Sequence, residues 1–444
     1  MTPEEMAAID AAAPEPVEVL IHRAATAVAK EALALLGGSY GRRVVVVAGK
    51  GNNGNDGRVA GGLLARRGVR TEVLAATDLP AVLPPADLLV DAAFGTGFRG
   101  TWEPPPQAAT PVLAVDIPSG IHGLTGEACG RPWHAVRTVT FAALKPGLLL
   151  ADGPAHAGGV VVADIGLGTG EAATHLVEDA DVVAWVPPRE AGDHKWRHAV
   201  WVVAGSSGME GAGWLCARAA MRAGAGYVRS SSPGLERPDC PREAVGTPLP
   251  AEGWGAGVAG DAGRFAAVVA GPGIGRSPEV RDELVALARS GVPTVLDADA
   301  LVAVGREPLA GSSPLVLTPH DGEFAALMGE RPGPDRLAAA RAAAAHHGAV
   351  VLLKGPTTVV ADPGGRALVT RTGDARLPTA GTGDVLSGVI GAHLAAGADP
   401  LRAAAAAAHL HGRAGSRAGV SGVVAGDVAE ALGEARAALG GRDG

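Results

Sequence analysis

Arg42-Arg43-Val44-Val45-Val46-Val47-Ala48-Gly49-Lys50-Gly51-Asn52-Asn53-Gly54-Asn55-Asp56-Gly57 is the stretch that decides the fold of the first half of the chain. A strand-length apolar run ends in Gly49-x-Gly51-x-x-Gly54 and passes at once into a helical pattern. Glycines in that context allow a tight turn and a close backbone approach to a pyrophosphate. An ordinary nicotinamide-dependent dehydrogenase carries the same spacing, but its loop needs bare backbone. Here Asn52, Asn53, Asn55 and Asp56 fill the turn with amides and a carboxylate, which make directional contacts. For Asn55 alone, a turn-forming role and a ligand-contacting one stand level; turn formation is a poor account of the whole cluster.

Working outward, strand-length runs alternate with helical segments to the end of the chain, the α/β signature of parallel sheets. Val19–Leu36 predicts a long amphipathic helix. Strands are expected near 44–48, 71–75, 88–90, 111–115, 138–141 and 160–163, then near 199–203, 266–270, 294–296, 315–317, 350–353 and 357–361. The tail from Gly381 reads as helix with breaks at Gly397 and Gly419. Segment 233–263, rich in Pro and Gly, reads as a long loop or short irregular strands. At 444 residues the chain exceeds what one core usually serves. The charged, proline-bearing stretch 177–193 suits a connector, so residues 1–183 and 187–440 are expected as separate domains.

Composition narrows the classes. A formal net charge of −8, without long runs of one sign, argues against a nucleic-acid footprint or a polybasic membrane patch. Cys129, Cys216 and Cys240 have no CxxC spacing, so buried reduced thiols fit better than a zinc site. The acidic start MTPEEMAAID is no signal peptide and no apolar run is span-length. A cytoplasmic enzyme is expected.

Two more polar signals sit at strand ends in the first half, Asp91-Ala92-Ala93-Phe94-Gly95-Thr96-Gly97 and Asp116-Ile117-Pro118-Ser119-Gly120. One strand-end Asp is usually a cap or loop anchor. Three such signals can converge on one crevice beyond the carboxyl ends of parallel strands. In the second half, Thr379-Ala380-Gly381-Thr382-Gly383-Asp384 leads into a helix. Its glycines expose backbone N–H groups to an anion, and Asp384 stands beside that hole to take a hydroxyl proton during phosphoryl transfer.

GNNGNDG, DAAFGTG and DIPSG, in this order, resemble the NAD(P)HX epimerase domain, or YjeF N-terminal domain, over about 1–181. The resemblance implies a Rossmann-like fold in which Asn52, Asn53, Gly54, Asn55 and Asp56, with Gly95, Thr96, Gly97, Phe98, Arg99, Gly100 and Thr101, line a hydrated nicotinamide nucleotide. It implies oxygens from Asn53, Asp91 and Ser119 on a potassium ion. Asp116 would act as acid and base while the ring carbon C6 inverts; Lys145 resembles a second catalytic or anion-contacting group, a snorkelling lysine being nearly as good a reading. The family commonly has Gly where Asn55 stands, and Met-Glu or similar at Ile21-His22.

The second-half motif resembles the anion hole of the ribokinase-like superfamily. With Thr318-Pro319-His320-Asp321-Gly322-Glu323, Lys354-Gly355-Pro356-Thr357-Thr358 and the turns at Gly271–Gly275 and Gly205–Gly208, it is similar to the ADP-dependent NAD(P)HX dehydratases over about 187–438. The resemblance implies ADP against Lys354, Gly355, Pro356, Thr357, Thr358 and the stretch 374–383, including Gly381, Thr382 and Gly383, with magnesium held by phosphates and water. Hydrated NADH or NADPH (NADHX, NADPHX) would meet Ala212, Gly273, His320 and the base Asp384. His194–His198 and Glu210 depart from the family pattern near the substrate entrance. No nucleic acid or membrane is expected as partner; a homo-oligomer is. Two rival readings remain, a kinase for a small vitamin hydroxyl and a dehydratase whose first half is an idle nucleotide-binding module.

Overall fold

The computed structural model describes residues 1–107, 109–170, 172–309, 311–373 and 376–440. The chain divides into two compact units, Met1–Ala172 and Ala173–Gly444.

Unit 1 holds β1 (Arg43–Ala48), β2 (Arg70–Ala75), β3 (Leu88–Ala92), β4 (Val112–Val115), β5 (Arg137–Phe141) and β6 (Gly159–Ala163), with α1 (Pro3–Ala11), α2 (Val17–Leu36), α3 (Asn52–Arg66) and α4 (Gly153–Ala157). The sheet is parallel in the order β2-β1-β3-β4-β5-β6. Alternate residues of β1 feed two cores, as the two-residue strand period requires. Val44 and Val46 pack with α2 and α3, whereas Val45 and Val47 pack with Trp102 and Trp133. α2 turns Leu20, Ala24, Val28 and Ala32 inward and ends at the left-handed Gly37. α3 lies tight on the sheet because Gly57 has no side chain; a Cβ there would sit 2.4 Å from that of Ala92. β1 pairs with both β2 and β3, so the chain reverses its direction of travel at β1 and opens a crevice beyond the ends of β1 and β3.

Unit 2 contains β7 (Thr174–Leu176), β8 (Ala199–Val203), β9 (Tyr227–Ser231), β10 (Val245–Gly246), β11 (Ala267–Ala270), β12 (Thr294–Leu296), β13 (Leu315–Leu317), β14 (Val350–Leu353), β15 (Thr358–Ala361) and β16 (Ala367–Thr370). Its helices are α5 (Asp179–Trp185), α6 (Glu210–Arg222), α7 (Trp254–Ala262), α8 (Glu279–Ala288), α9 (Asp299–Val304), α10 (Asp321–Met328), α11 (Arg336–His347), α12 (Thr382–Ala395), α13 (Pro400–Arg417) and α14 (Ala425–Leu439). The ten-stranded sheet runs β10-β9-β8-β11-β12-β13-β14-β15-β16-β7. It is parallel from β10 to β14, and β15 is antiparallel to both its neighbours. α6, α12, α13 and α14 share one core built mostly of Ala and Val. Small side chains let those helices approach closely: a Cβ on Gly388 of α12 would lie 2.2 Å from the Cys216 carbonyl oxygen of α6.

Three expectations shift. The division between units falls at Ala172/Ala173, ahead of the expected 183–187. β7 pairs with β16, and Asp179 of α5 accepts hydrogen bonds from His409 Nε2 at 2.6 Å and Arg413 Nε at 3.0 Å, so the supposed end of the first domain belongs to the second sheet. Segment 233–263 contains a full helix, α7, beside the short β10. Strand β9 was hidden by its polar letters. Ser231 accepts from Trp201 Nε1 at 3.1 Å, and Arg229 stacks over Trp201 and Phe265.

Candidate functional site

The loops leaving β1, β3 and β4 open on one cleft in unit 1, with a volume of about 750 Å³. Asn52, Asn53, Asp56, Gly95, Thr96, Gly97, Phe98, Asp116 and Lys145 line it. Gly54 does not; it packs against the loop backbone, where a Cβ would stand 2.0 Å from the Gly49 carbonyl oxygen. Asn55 also points elsewhere, accepting from Arg58 Nη1 at 3.2 Å. Beyond Phe98 the expected lining ends: Arg99 donates to the Phe98 carbonyl at 2.8 Å, Gly100 turns the chain at φ +116°, and Thr101 is exposed.

Asp116 is held in the left-handed region, φ +65°, a conformation that costs a non-glycine residue free energy and needs support from its surroundings. Lys145 Nζ supplies it, 2.7 Å from Asp116 Oδ1, while donating to Thr140 Oγ1 and the Phe141 carbonyl, both at 2.8 Å. Thr140 Oγ1 donates to Asp116 Oδ1 at 3.1 Å. Lys145 is 2 % exposed, so it is a buried counter-ion and not a snorkelling surface lysine. Asp56 lies at the foot of the cleft, 7 % exposed. Burial first, then the charges of Asp116 and Asp10, push its carboxyl up to about 8.

Asp91 and Ser119 lie behind the lining. Ser119 Oγ and N donate to the two oxygens of Asp91 at 2.6 and 2.9 Å, and Phe94 N donates to Ser119 Oγ at 2.9 Å. Burial raises the Asp91 carboxyl above its usual range. The side-chain oxygen and nitrogen of Asn53 are both buried without a hydrogen-bond partner. An orphaned amide oxygen and a fully buried carboxylate are hard donors suited to a potassium ion. Sequence reasoning missed Asp10, which α1 carries into the cleft. Its signal was the Thr2/Glu5 capping box that starts α1.

In unit 2, β8, β11, β12, β13 and β14 present their carboxyl ends near the N-terminus of α12. Gly381, at φ +89°, caps α12 where a Cβ would meet Leu215 at 2.6 Å. Thr382 Oγ1 donates back to the Leu377 and Thr379 carbonyls, at 2.6 and 2.8 Å, which shapes the turn. The first-turn N–H groups of α12 have no intrahelical acceptor, as at any helix start. Lys354 lies beside them, its Nζ 3.6 Å from the Cβ position of Gly383. Asp384 opens into this space; burial and the Asp297 charge push its carboxyl up to about 7 against the pull of Lys354.

Gly273, at φ +63°, faces Ala212, whose Cβ is 3.2 Å from the Gly273 Cβ position. Its neighbour in the expected set, His320, is the N-cap of α10: its Nδ1 accepts from Gly322 N at 2.9 Å and Glu323 N at 3.2 Å. Gly355 and Pro356 are exposed, Thr357 is buried, and Thr358 Oγ1 lies 3.5 Å from the Gly355 carbonyl. Of the stretch 374–383, Asp374 and Ala375 lie outside the described residues. His198 ties the connector down, reaching Asp193 at 2.8 Å and the Ala395 carbonyl at 3.2 Å, and Glu210 starts α6. Among the described residues no group of His, Cys, Asp and Glu forms a metal cage, and no helix is long and apolar enough to cross a membrane.

Comparison with known proteins follows the same division. Residues 200–435 match the family described as NAD(P)H-hydrate dehydratase, and residues 17–82 and 75–147 match YjeF-related protein N-terminus. The bifunctional NAD(P)H-hydrate repair enzyme Nnr of Mycobacterium tuberculosis H37Rv is 39% identical over 412 residues, covering 86% of this chain and 84% of its own. The chain belongs to the bifunctional NAD(P)H-hydrate repair enzyme family. A further family member of that name, from Moorella thermoacetica, is 37% identical over 460 residues, 88% of this chain and 87% of its own. Among solved structures, the ADP/ATP-dependent NAD(P)H-hydrate dehydratase of Bacillus subtilis, co-crystallised with ATP and Mg²⁺, is 26% identical with a TM-score of 0.53 and covers 60% of this chain and 98% of its own. The α/β architecture and the ribokinase-like second unit expected from sequence agree with that fold.

Proposed function

We propose that unit 1 epimerises the 6R hydrates of NADH and NADPH and that unit 2 dehydrates the 6S hydrates at the expense of ADP. The observation that carries the reading is the pair of carboxylates, Asp116 directly after β4 with the buried Lys145 at 2.7 Å, and Asp384 in the first turn of α12 with the partly buried Lys354 near that turn. A kinase for a small hydroxyl would leave the cleft around Asp116 without a use. The Asp116–Lys145 pair and the polar lining of that cleft favour a working epimerase over an idle module.

In unit 1 the hydrated ring lies against Asp116. Its carboxylate takes the proton of the C6 hydroxyl as that centre opens and returns it as the opposite face closes, while Lys145 stabilises the charge. Asn53, Asp91 and Ser119 would hold a potassium ion, which would neutralise the buried carboxylate and steady the loop. In unit 2 Asp384 removes the proton of the C6 hydroxyl. That oxygen attacks the β-phosphorus of ADP and AMP departs; the C6 phosphate ester then eliminates phosphate, which carries off a proton from C5 as the ring double bond re-forms. The N-terminus of α12 and Lys354 stabilise charge on the phosphoryl oxygens. Magnesium carried by the nucleotide's own phosphates would share that charge. We place the enzyme in the cytoplasm as a homo-oligomer, with small molecules as its ligands.

The test uses resolved 6R and 6S hydrates of NADH, following dehydration by the return of NADH absorbance and epimerisation by chromatographic separation of the two hydrates. Asp384→Asn is expected to lose about 10²–10⁴-fold in ADP-dependent dehydration while still converting 6R to 6S; Asp116→Asn is expected to do the reverse. Absent or ADP-independent repair by the unaltered chain would overturn the reading.

A further inference from the structure

Asp297 follows β12 and is 1 % exposed, yet no substrate contact is assigned to it. Groups from three elements converge on its carboxylate. Lys354 Nζ, after β14, and Thr318 Oγ1, after β13, approach Oδ1 at 2.9 and 2.7 Å. Ser387 Oγ, one turn into α12, donates to Oδ2 at 2.7 Å. The backbone behind it is constrained as well: Ala298 adopts φ +53° and Asp297 N donates to the Ala270 carbonyl of β11 at 3.2 Å. Lys354 has a second carboxylate, Glu323 of α10, at 3.4 Å.

One ammonium therefore stands among several carboxylates. Were it to pair with Asp384, the nearest acidic group on α12, Asp384 would become a poor base and the ammonium would be spent. We propose that Asp297 is a positioning residue of the dehydratase site, pinning Lys354 beneath the Gly381–Asp384 turn and withholding it from Asp384. Lys354 thus remains available to phosphoryl oxygens, and Asp384 remains basic enough to take a hydroxyl proton. The inference rests on the reading of Asp384 as the base.

The surrounding charges support this division of labour. Burial pushes the Asp297 carboxyl up, but Lys354 and the hydroxyls of Ser387 and Thr318 outweigh it and hold Asp297 below the usual carboxylate range. Burial, opposed by Asp297 and Glu323, leaves Lys354 above its ordinary value. Other titratable groups face the site from the surrounding elements, among them His320 of α10, whose Nε2 lies 3.4 Å from Glu323. Asp299 of α9 is paired with Arg276 at 2.6 Å, burial keeps the Cys216 thiol of α6 well above its usual value, and burial lowers His411 of α13 to about 4. Arg336 of α11 is bound to the Lys354 carbonyl at 2.7 Å and to Asp321. Burial and then the Asp297 charge push the Asp384 carboxyl up to about 7, against the pull of Lys354.

The full chain tests this through the pH profile of kcat/KM for the 6S hydrate at saturating ADP, with 6R conversion as an internal control. Asp297→Asn removes the like charge and frees Lys354 to turn toward Asp384. The acid limb is expected to move down by about one pH unit or more, with a lower plateau and a raised KM for ADP. Lys354→Met is expected to move the limb up. The double variant, which buries neither charge, is expected to return the limb near its original position with KM still raised. A merely structural Asp297 would lower activity without moving the limb, and that outcome overturns the proposal. If Asp297→Asn leaves Lys354 unpaired and unit 2 fails to fold, the double variant decides alone: a limb displaced upward as far as in Lys354→Met overturns the proposal. Full activity of Asp384→Asn would instead remove the base reading itself; an inactive Asp384→Asn with an unmoved Asp297→Asn limb removes only the present inference.

Discussion

Replacing Asp56 by Asn removes a carboxyl that folding makes hard to ionise, so it should stabilise unit 1, and increasingly so as pH rises. The Asp56 carboxyl rises from an ordinary 3.8 to about 8, through burial and then through Asp116 and Asp10. The folded state therefore holds a proton that the unfolded chain releases above about pH 4. A raised carboxyl costs nothing below the unfolded value, and stability is lost as pH climbs through the window from about 4 to about 8. At pH 7 the proton is held across roughly three pH units, worth about 4 kcal/mol at ~1.36 kcal/mol per unit. Relaxation and water entry around the carboxyl reduce this, so a measured gain of about 2–4 kcal/mol is expected. Asn is nearly isosteric with the protonated acid, so packing should survive. Amide hydrogen exchange of peptides covering residues 43–66, followed in the full chain from pH 5 to 8, isolates the opening of β1 and α3. Greater protection in Asp56→Asn that grows with pH fits the reasoning. Equal or lower protection at pH 8 refutes it, since Asp56 would then be ionised at little cost.

Other outcomes follow from the same loop. Asn55→Gly should leave epimerisation intact and cost below about 1 kcal/mol, because Asn55 reaches Arg58 and does not line the cleft; a rate measurement on the 6R hydrate decides. Gly54→Ala should cost about 3 kcal/mol or more and remove epimerase activity while dehydration persists, since its Cβ would enter the Gly49 carbonyl. Asn53→Ala should abolish any dependence of the epimerase rate on potassium concentration; a variant that still responds to potassium would assign the ion elsewhere.

Sequence by itself determined most of the elements and the two chemical signatures. The Val44–Val47 run, the Gly49–Gly54 turn and Gly381–Asp384 act through local backbone geometry: strand length, the close approach of Gly54 to the Gly49 carbonyl, and the positive φ of Gly381 with its free helix N–H groups are properties of neighbours in the chain. Each of these was legible because only a few residue types satisfy such demands. The helical tail broken at Gly397 and Gly419 was legible for the same reason.

Tertiary structure decided what depends on distant residues meeting. β7 and α5 belong to the second sheet because β16, His409 and Arg413 lie far along the chain, and no local composition signals that pairing. Strand β9 looks polar until Trp201 and Phe265 cover Arg229 and Ser231 accepts a buried hydrogen bond. Most of all, Asp297, an unremarkable letter after a short strand, becomes the partner of Lys354 and the neighbour of Asp384 only when β12, β13, β14 and α12 converge. Electrostatic roles are set by burial and by charges brought within a few ångströms, and those are consequences of the fold.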